Sequence, residues 1–218
     1  MRIVATSDTH FPINPLKVPK GDVFVLAGDM MYTGYLGEWF PRIDAIAQLD
    51  HPLKILVPGN HDIHLQHYPG PALGELRARG ITVVGPPSTK YANKITLPNG
   101  MTLGACPYVT NLPRWAFNAD ETFIWDYLDT MGRVDILVAH SPPRGCLDRG
   151  DSPGSHWGTA ALRKYITRYQ PELLICGHVH EGYGTMKVER TTVANVANCD
   201  VDYEQVNPPM VFDFPERI

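Results

Sequence analysis

Five apolar runs, rich in β-branched residues, punctuate the chain: RIVATS, DVFVLAG, KILVP, DILVA and LLIC. Each is short and hydrophobic throughout, without polar alternation, which is the pattern of a parallel strand buried on both faces. Between them the spacing changes to that of helices. Helices are predicted over Leu36–Leu49, Ala72–Arg79, Glu121–Met131 and Thr159–Tyr169. In the last, Ala161, Leu162, Tyr165 and Ile166 recur on one helical face. Shorter strands are expected at 82–84, 94–97, 102–105, 185–188, 192–196 and 211–214. The first half alternates strand and helix, and the last stretch is rich in strands. This mix argues for an α/β protein.

Polar motifs stand at the ends of these runs, and they carry the chemistry. The runs lead into Asp8-Thr9-His10, Gly28-Asp29, Gly59-Asn60-His61-Asp62, His140 and Gly177-His178-Val179-His180. Side chains just past the ends of neighbouring strands converge at one sheet edge, where open α/β folds place their sites. The cluster would gather imidazoles, carboxylates and an amide, too much polar matter to bury without a partner. A pair of metal ions is the economical partner.

Composition narrows the class. The chain has 218 residues with 44% hydrophobic content, enough for one domain over 1–218 with a sizeable core. A formal net charge of -4 gives no reason to expect tight binding to duplex nucleic acid. No apolar run is long enough for a membrane span. MRIVATSDTH leads straight into a strand, leaving no room for a signal peptide. Cys106, Cys146, Cys176 and Cys199 are scattered without CxxC spacing, as expected of reduced, buried thiols in a cytoplasmic protein.

The ordered motifs D-x-H, G-D, G-N-H-[DE], H and G-H-x-H resemble those of the calcineurin-like metallophosphoesterase superfamily. Nearly the whole chain, from Arg2 to about Phe214, takes part. The resemblance implies two facing mixed β-sheets flanked by α-helices. It also implies a binuclear metal centre: Asp8, His10 and His180 on one ion, Asn60, His140 and His178 on the other, Asp29 bridging. Two divalent or trivalent transition-metal ions are expected, manganese and iron first, with zinc, cobalt or nickel as alternatives. His61 matches the catalytic histidine of the superfamily, which protonates the leaving alkoxide or steadies the phosphorane. Asp62 is expected to orient His61 by a hydrogen bond, or else to cap a helix.

Within the superfamily, protein serine/threonine phosphatases carry Asp-Arg-Gly after the G-D motif. Here Gly28-Asp29 runs into Met30-Met31-Tyr32-Thr33-Gly34, with no clamping Arg. Three stretches are similar to the metallophosphoesterase-domain-containing proteins and class III cyclic nucleotide phosphodiesterases: Gly177–Gly184, Asn195–Pro209, and His140-Ser141-Pro142-Pro143 with Gly145, Leu147 and Asp148. That family implies hydrolysis of small phosphodiesters, cyclic nucleotides among them, by metal-activated hydroxide. A phosphomonoesterase on the same centre is the alternative. A catalytically silent scaffold should show eroded ligands, and this chain keeps them all. Trp115, Phe117 and Trp157 are candidates for stacking a base. His64 and His67, and Arg114, Arg144 and Arg149, are candidate contacts to a nucleotide. Glu181 and Tyr183 adjoin the His178/His180 pair.

Overall fold

The computed structural model describes residues 1–85, 93–150 and 154–216; the Pro86-Pro87 loop segment lies outside them. In chain order the first half runs β1 (Arg2–Thr6), β2 (Val23–Ala27), α1 (Leu36–Ala47), β3 (Leu53–Val57), α2 (Ile63–His67), α3 (Pro69–Ala78) and β4 (Ile81–Val83). The second half runs β5 (Lys94–Thr96), β6 (Thr102–Cys106), α4 (Glu121–Met131), β7 (Ile136–Ala139), α5 (Ala160–Tyr169), β8 (Leu173–Cys176), β9 (Gly184–Val188), β10 (Thr191–Asn195) and β11 (Met210–Asp213). The expected helices are present, with ends shifted by a residue or two. The exception is the second, which starts at Pro69 and is preceded by the short α2.

Two mixed sheets face one another. One has the order β11-β1-β2-β3-β4, the other β5-β6-β7-β8-β10-β9. The inner strands of both are parallel, and the edges β11, β5 and β9 are antiparallel. Alternate residues along each strand serve different layers. Ile3, Ala5, Val25 and Ile55 meet Leu103, Val138, Ile175 and Ala194 between the sheets. Val4, Phe24, Leu26 and Leu56 turn outward to α1, α2 and α3 through Trp39, Ile43, Leu65 and Leu76. Leu137, Leu174 and Val193 turn outward to α4 and α5 through Ile124, Leu128, Leu162 and Tyr165. Burial on both faces explains why the runs carry no polar alternation.

The two sheets meet at their C-terminal edge. Ser7, just past β1, donates its N–H to the Val196 carbonyl at 3.0 Å, just past β10. The loops after β1, β2, β3, β7 and β8 therefore open into one place.

Candidate metal centre

Those loops are held in unusual backbone. Asp8, His10, Asp29 and His178 all have positive φ, at 49°, 48°, 53° and 68°. Non-glycine residues in that region are uncommon and cluster at functional sites. The motif glycines have a steric reason. A Cβ on Gly59 would collide with Asp29 Oδ1, and one on Gly177 with the side chains of Ser7 and Asp8.

Three side-chain sets converge. Asp8, His10 and His180 bring ligand atoms within 4.8 Å of one another, as do Asp29, His140 and His178, and also His10, Asp29 and His61. Asn60 Oδ1 lies 3.0 Å from His140 Nε2, which is also 3.2 Å from Asp29 Oδ2. Backbone carbonyls fix the imidazoles from behind. The Nδ1–H of His10 donates to Met31 O at 2.9 Å, that of His140 to Ala27 O at 2.9 Å, and that of His180 to Asp200 O at 2.7 Å. In its neutral form each ring is thereby left with an Nε2 lone pair aimed inward, as a metal ion requires. His10 Nε2 and His180 Nε2 stand 3.3 Å apart. Lone pairs and carboxylate oxygens facing one another at such distances call for shared cations. The donor set fits two: nitrogen and oxygen ligands, no thiolate.

The electrostatics agree. Burial disfavours ionised Asp8 and Asp29, yet the neighbouring histidines hold both carboxyls below the usual range. Burial likewise opposes a charge on His140, but Asp29 and Asp8 outweigh it and raise the group to about 9. His180 rises to about 9 because its hydrogen bond to Asp8 and the charge of that carboxylate outweigh burial. His178 falls to about 4 through burial and the charge of His140.

Asp62 does something other than expected. Its carboxylate accepts four backbone N–H groups: Gly59 at 2.9 Å, Asp29 at 3.0 Å, Met30 at 3.1 Å and Met31 at 3.2 Å. It ties the Asp29 loop to the Asn60 loop and has no oxygen left for the His61 ring. His61 Nδ1 donates instead to the Tyr32 carbonyl. Asp62 stands at the N-cap position of α2, but its side chain makes no capping bond there. Burial, then the charge of Asp29, push its carboxyl up to about 7 against the pull of the amides.

The other candidates divide. Trp115 lies over His61, ring centroids 4.1 Å apart, and with Trp157 and Glu181 lines the cleft above the cluster. Phe117 is 6% exposed and belongs to the core beneath α1, so it is not available for stacking. His64 and His67 line a separate apolar groove between α1 and α3, with His64 against Trp39. Arg114 and Arg149 are exposed outside the cleft lining. Tyr183 spends its hydroxyl on Pro208 O at 2.9 Å.

Two residues escaped the sequence reading. Arg42 is buried, and its guanidinium donates from Nε to His10 O and Met30 O, both at 2.9 Å, joining two ligand loops. The signal was an arginine inside the stripe Trp39, Ile43 and Ile46 of α1. Tyr203, at φ 63°, packs its ring 4.8 Å from that of His10 and 5.0 Å from Tyr32.

Comparison with known proteins accords with this geometry. A family model described as calcineurin-like phosphoesterase matches residues 1–182. Metallophosphoesterase domain-containing protein 1 of Homo sapiens is 30% identical over 234 residues, covering 98% of this chain and 71% of that protein. A UPF0046 protein of Caenorhabditis elegans is 28% identical over 226 residues, covering 100% of this chain and 76% of its own. In fold, the crystal structure of phosphopantetheinyl hydrolase from Mycobacterium tuberculosis is similar with a TM-score of 0.59, at 18% identity, over 92% of this chain and 90% of that one. With the match extending from the first strand past the last ligand, the chain belongs to the calcineurin-like phosphoesterases and is a hydrolase of that family.

Proposed function

We propose that the chain is a dimetal phosphodiesterase, one domain over residues 1–218, acting on small phosphodiesters, nucleotides among them. Asp8, His10 and His180 would hold one transition-metal ion, and Asn60, His140 and His178 a second, with Asp29 between them. Manganese and iron suit this set, with zinc, cobalt or nickel as alternatives. Such ions, when bound, supply an activated water and take up charge on the phosphoryl oxygens. The protein's own groups do the rest. Asp62 and Arg42 hold the ligand loops in register. The Nδ1–H of His61 is committed to Tyr32, so Nε2 remains to carry a proton to the leaving oxygen. Trp115 packs on that ring and limits its rotation. Four free, buried thiols accord with a reducing, cytoplasmic setting, and no helix among the described residues is long and apolar enough to cross a membrane.

One observation favours diesters over monoesters. Among the described residues lining the cleft there is no lysine or arginine, while Asp29 and Glu181 are both there. A monoester dianion would bring one more negative charge to a site whose lining offers no lysine or arginine to receive it. The test is turnover of bis(p-nitrophenyl) phosphate and p-nitrophenyl phosphate with manganese added. A higher kcat/KM on the diester is expected. The reverse order would replace this reading with a phosphomonoesterase.

A further inference from the structure

Beside the cleft lies a second chamber of about 250 Å³. The two share Leu112, Trp157 and His178 as walls. Trp157 is the partition. It is 46% exposed, stands against Gly150, and its backbone is held by Asp148 O at 2.9 Å. The lining of the main cleft has no lysine or arginine among the described residues, but the second chamber has Arg144, with His156 and Asn111 nearby on its lining.

These groups are disposed to receive an anion. Arg144 is exposed, and its guanidinium has no acidic partner among the described residues. Its backbone is fixed, with the N–H on Thr159 O at 2.9 Å. His156 donates from Nδ1 to the buried carboxylate of Asp148 at 2.9 Å, so that acid is already engaged. The acid on this wall, Glu121, is already engaged. Its two oxygens accept the N–H groups of Ala160 and Ala161, each at 2.8 Å, at the start of α5. Its charge is spent on that helix end.

We propose that the substrate carries a second anionic group, a phosphate or a carboxylate, a spacer away from the scissile diester. The diester sits over the metal centre, the spacer passes Trp157, and Arg144 receives the second anion. This rests on the phosphodiesterase reading and adds a specificity-determining residue to it.

The test uses two esters with the same leaving group: thymidine 5′-(p-nitrophenyl phosphate) and its 3′-phosphorylated counterpart. The readout is the ratio of their kcat/KM values, which a general loss of fold or metal leaves unchanged. Wild type should prefer the 3′-phosphorylated ester by about tenfold or more, the worth of one charge-assisted hydrogen bond. In Arg144→Ala the ratio should fall to about one, in Arg144→Lys it should stay above one, and in Arg144→Glu it should drop below one. A wild-type ratio near one, or a ratio indifferent to Arg144→Glu, overturns the proposal. Calorimetric titration with thymidine 3′,5′-bisphosphate and thymidine 5′-phosphate separates the two levels. If neither ester turns over, the diesterase reading fails. The chamber is then judged by binding alone: tighter binding of the bisphosphate, lost in Arg144→Ala, upholds it, and equal binding sinks it.

Discussion

The floor and the rim of the cleft are built on opposite terms. On the floor most side chains are anchored from behind. Asp62 accepts four amides, and His10, His140 and His180 each donate to a carbonyl behind them. Burial is near complete: Asp8, His10, Asp62 and His140 are 0% exposed. On the rim, Trp157, Glu181 and Arg144 stand exposed to solvent. The floor fixes positions to the ångström, which a charge-stabilising site requires. The rim selects what arrives. Substitutions on the floor should therefore abolish chemistry or stability, and substitutions on the rim should redistribute preference.

The largest effect is expected at Asp29. Asp29→Ala removes the carboxylate that touches both halves of the centre. Turnover should fall by about a thousandfold or more, and metal content, read by elemental analysis, should fall below one ion per chain. Near-normal metal content and rate would mean that Asp29 is no bridge and that the two halves of the floor are independent.

His61→Ala comes next. With its Nδ1 held by Tyr32, the ring acts through Nε2, so metal content should be kept while turnover falls by about 10²–10⁴-fold. The loss should be greater on a cyclic nucleotide, whose alkoxide needs a proton, than on a nitrophenyl ester. Equal losses would shift His61 from proton donor to positioning of the substrate. Departure of a metal ion would make it a ligand.

Asp62→Asn tests whether the floor is one unit. The new amide NH₂ would face the N–H groups of two loops at once. Unfolding free energy should drop by about 2–4 kcal/mol in a denaturant titration. Activity should fall with it, because the Asp29 loop loses its anchor. A variant of wild-type stability would mean that the four amides find other partners.

Metal removal bears on the same unit. Ions that bind only the folded centre stabilise it by mass action, so chelation should lower Tm and added manganese should restore it in a concentration-dependent way. A Tm indifferent to chelator would sever the floor's stability from its ions.

The smallest effect belongs to the rim. Trp157→Ala should leave metal content and Tm within error and raise KM by a few-fold for esters carrying a nucleoside, the cost of one lost stack. A large fall in kcat would show that the rim reaches into the chemistry.

Much of the floor was legible because its ligand residues sit one to four positions past strands whose apolar runs are unmistakable. Strand ends in a parallel sheet share an edge, so residues from Asp8 to His180 could be brought together before any coordinates. The second sheet was not readable from periodicity, since a buried strand does not say which sheet it joins. It came from the family resemblance, and the structure bears it out. The same limit misdirected Asp62. Adjacency to His61 suggested a side-chain pair, but neighbours along a loop point apart, and four unpaired amides from two loops competed for the same oxygens. His64 and His67 were misplaced likewise: a helix begins at Ile63 and turns them to the outer groove.

By itself the sequence determined the strands, the helix faces and the types of ligand, because these arise from hydrophobic period and from chemistry a few residues long. Only the tertiary structure decided which of two tryptophans faces His61, that Arg42 braces two loops, and that Asn111, Arg144 and His156 line one chamber. Those are meetings between loops far apart in the chain. No local pattern encodes them, because they arise only when two sheets have packed and their edges coincide.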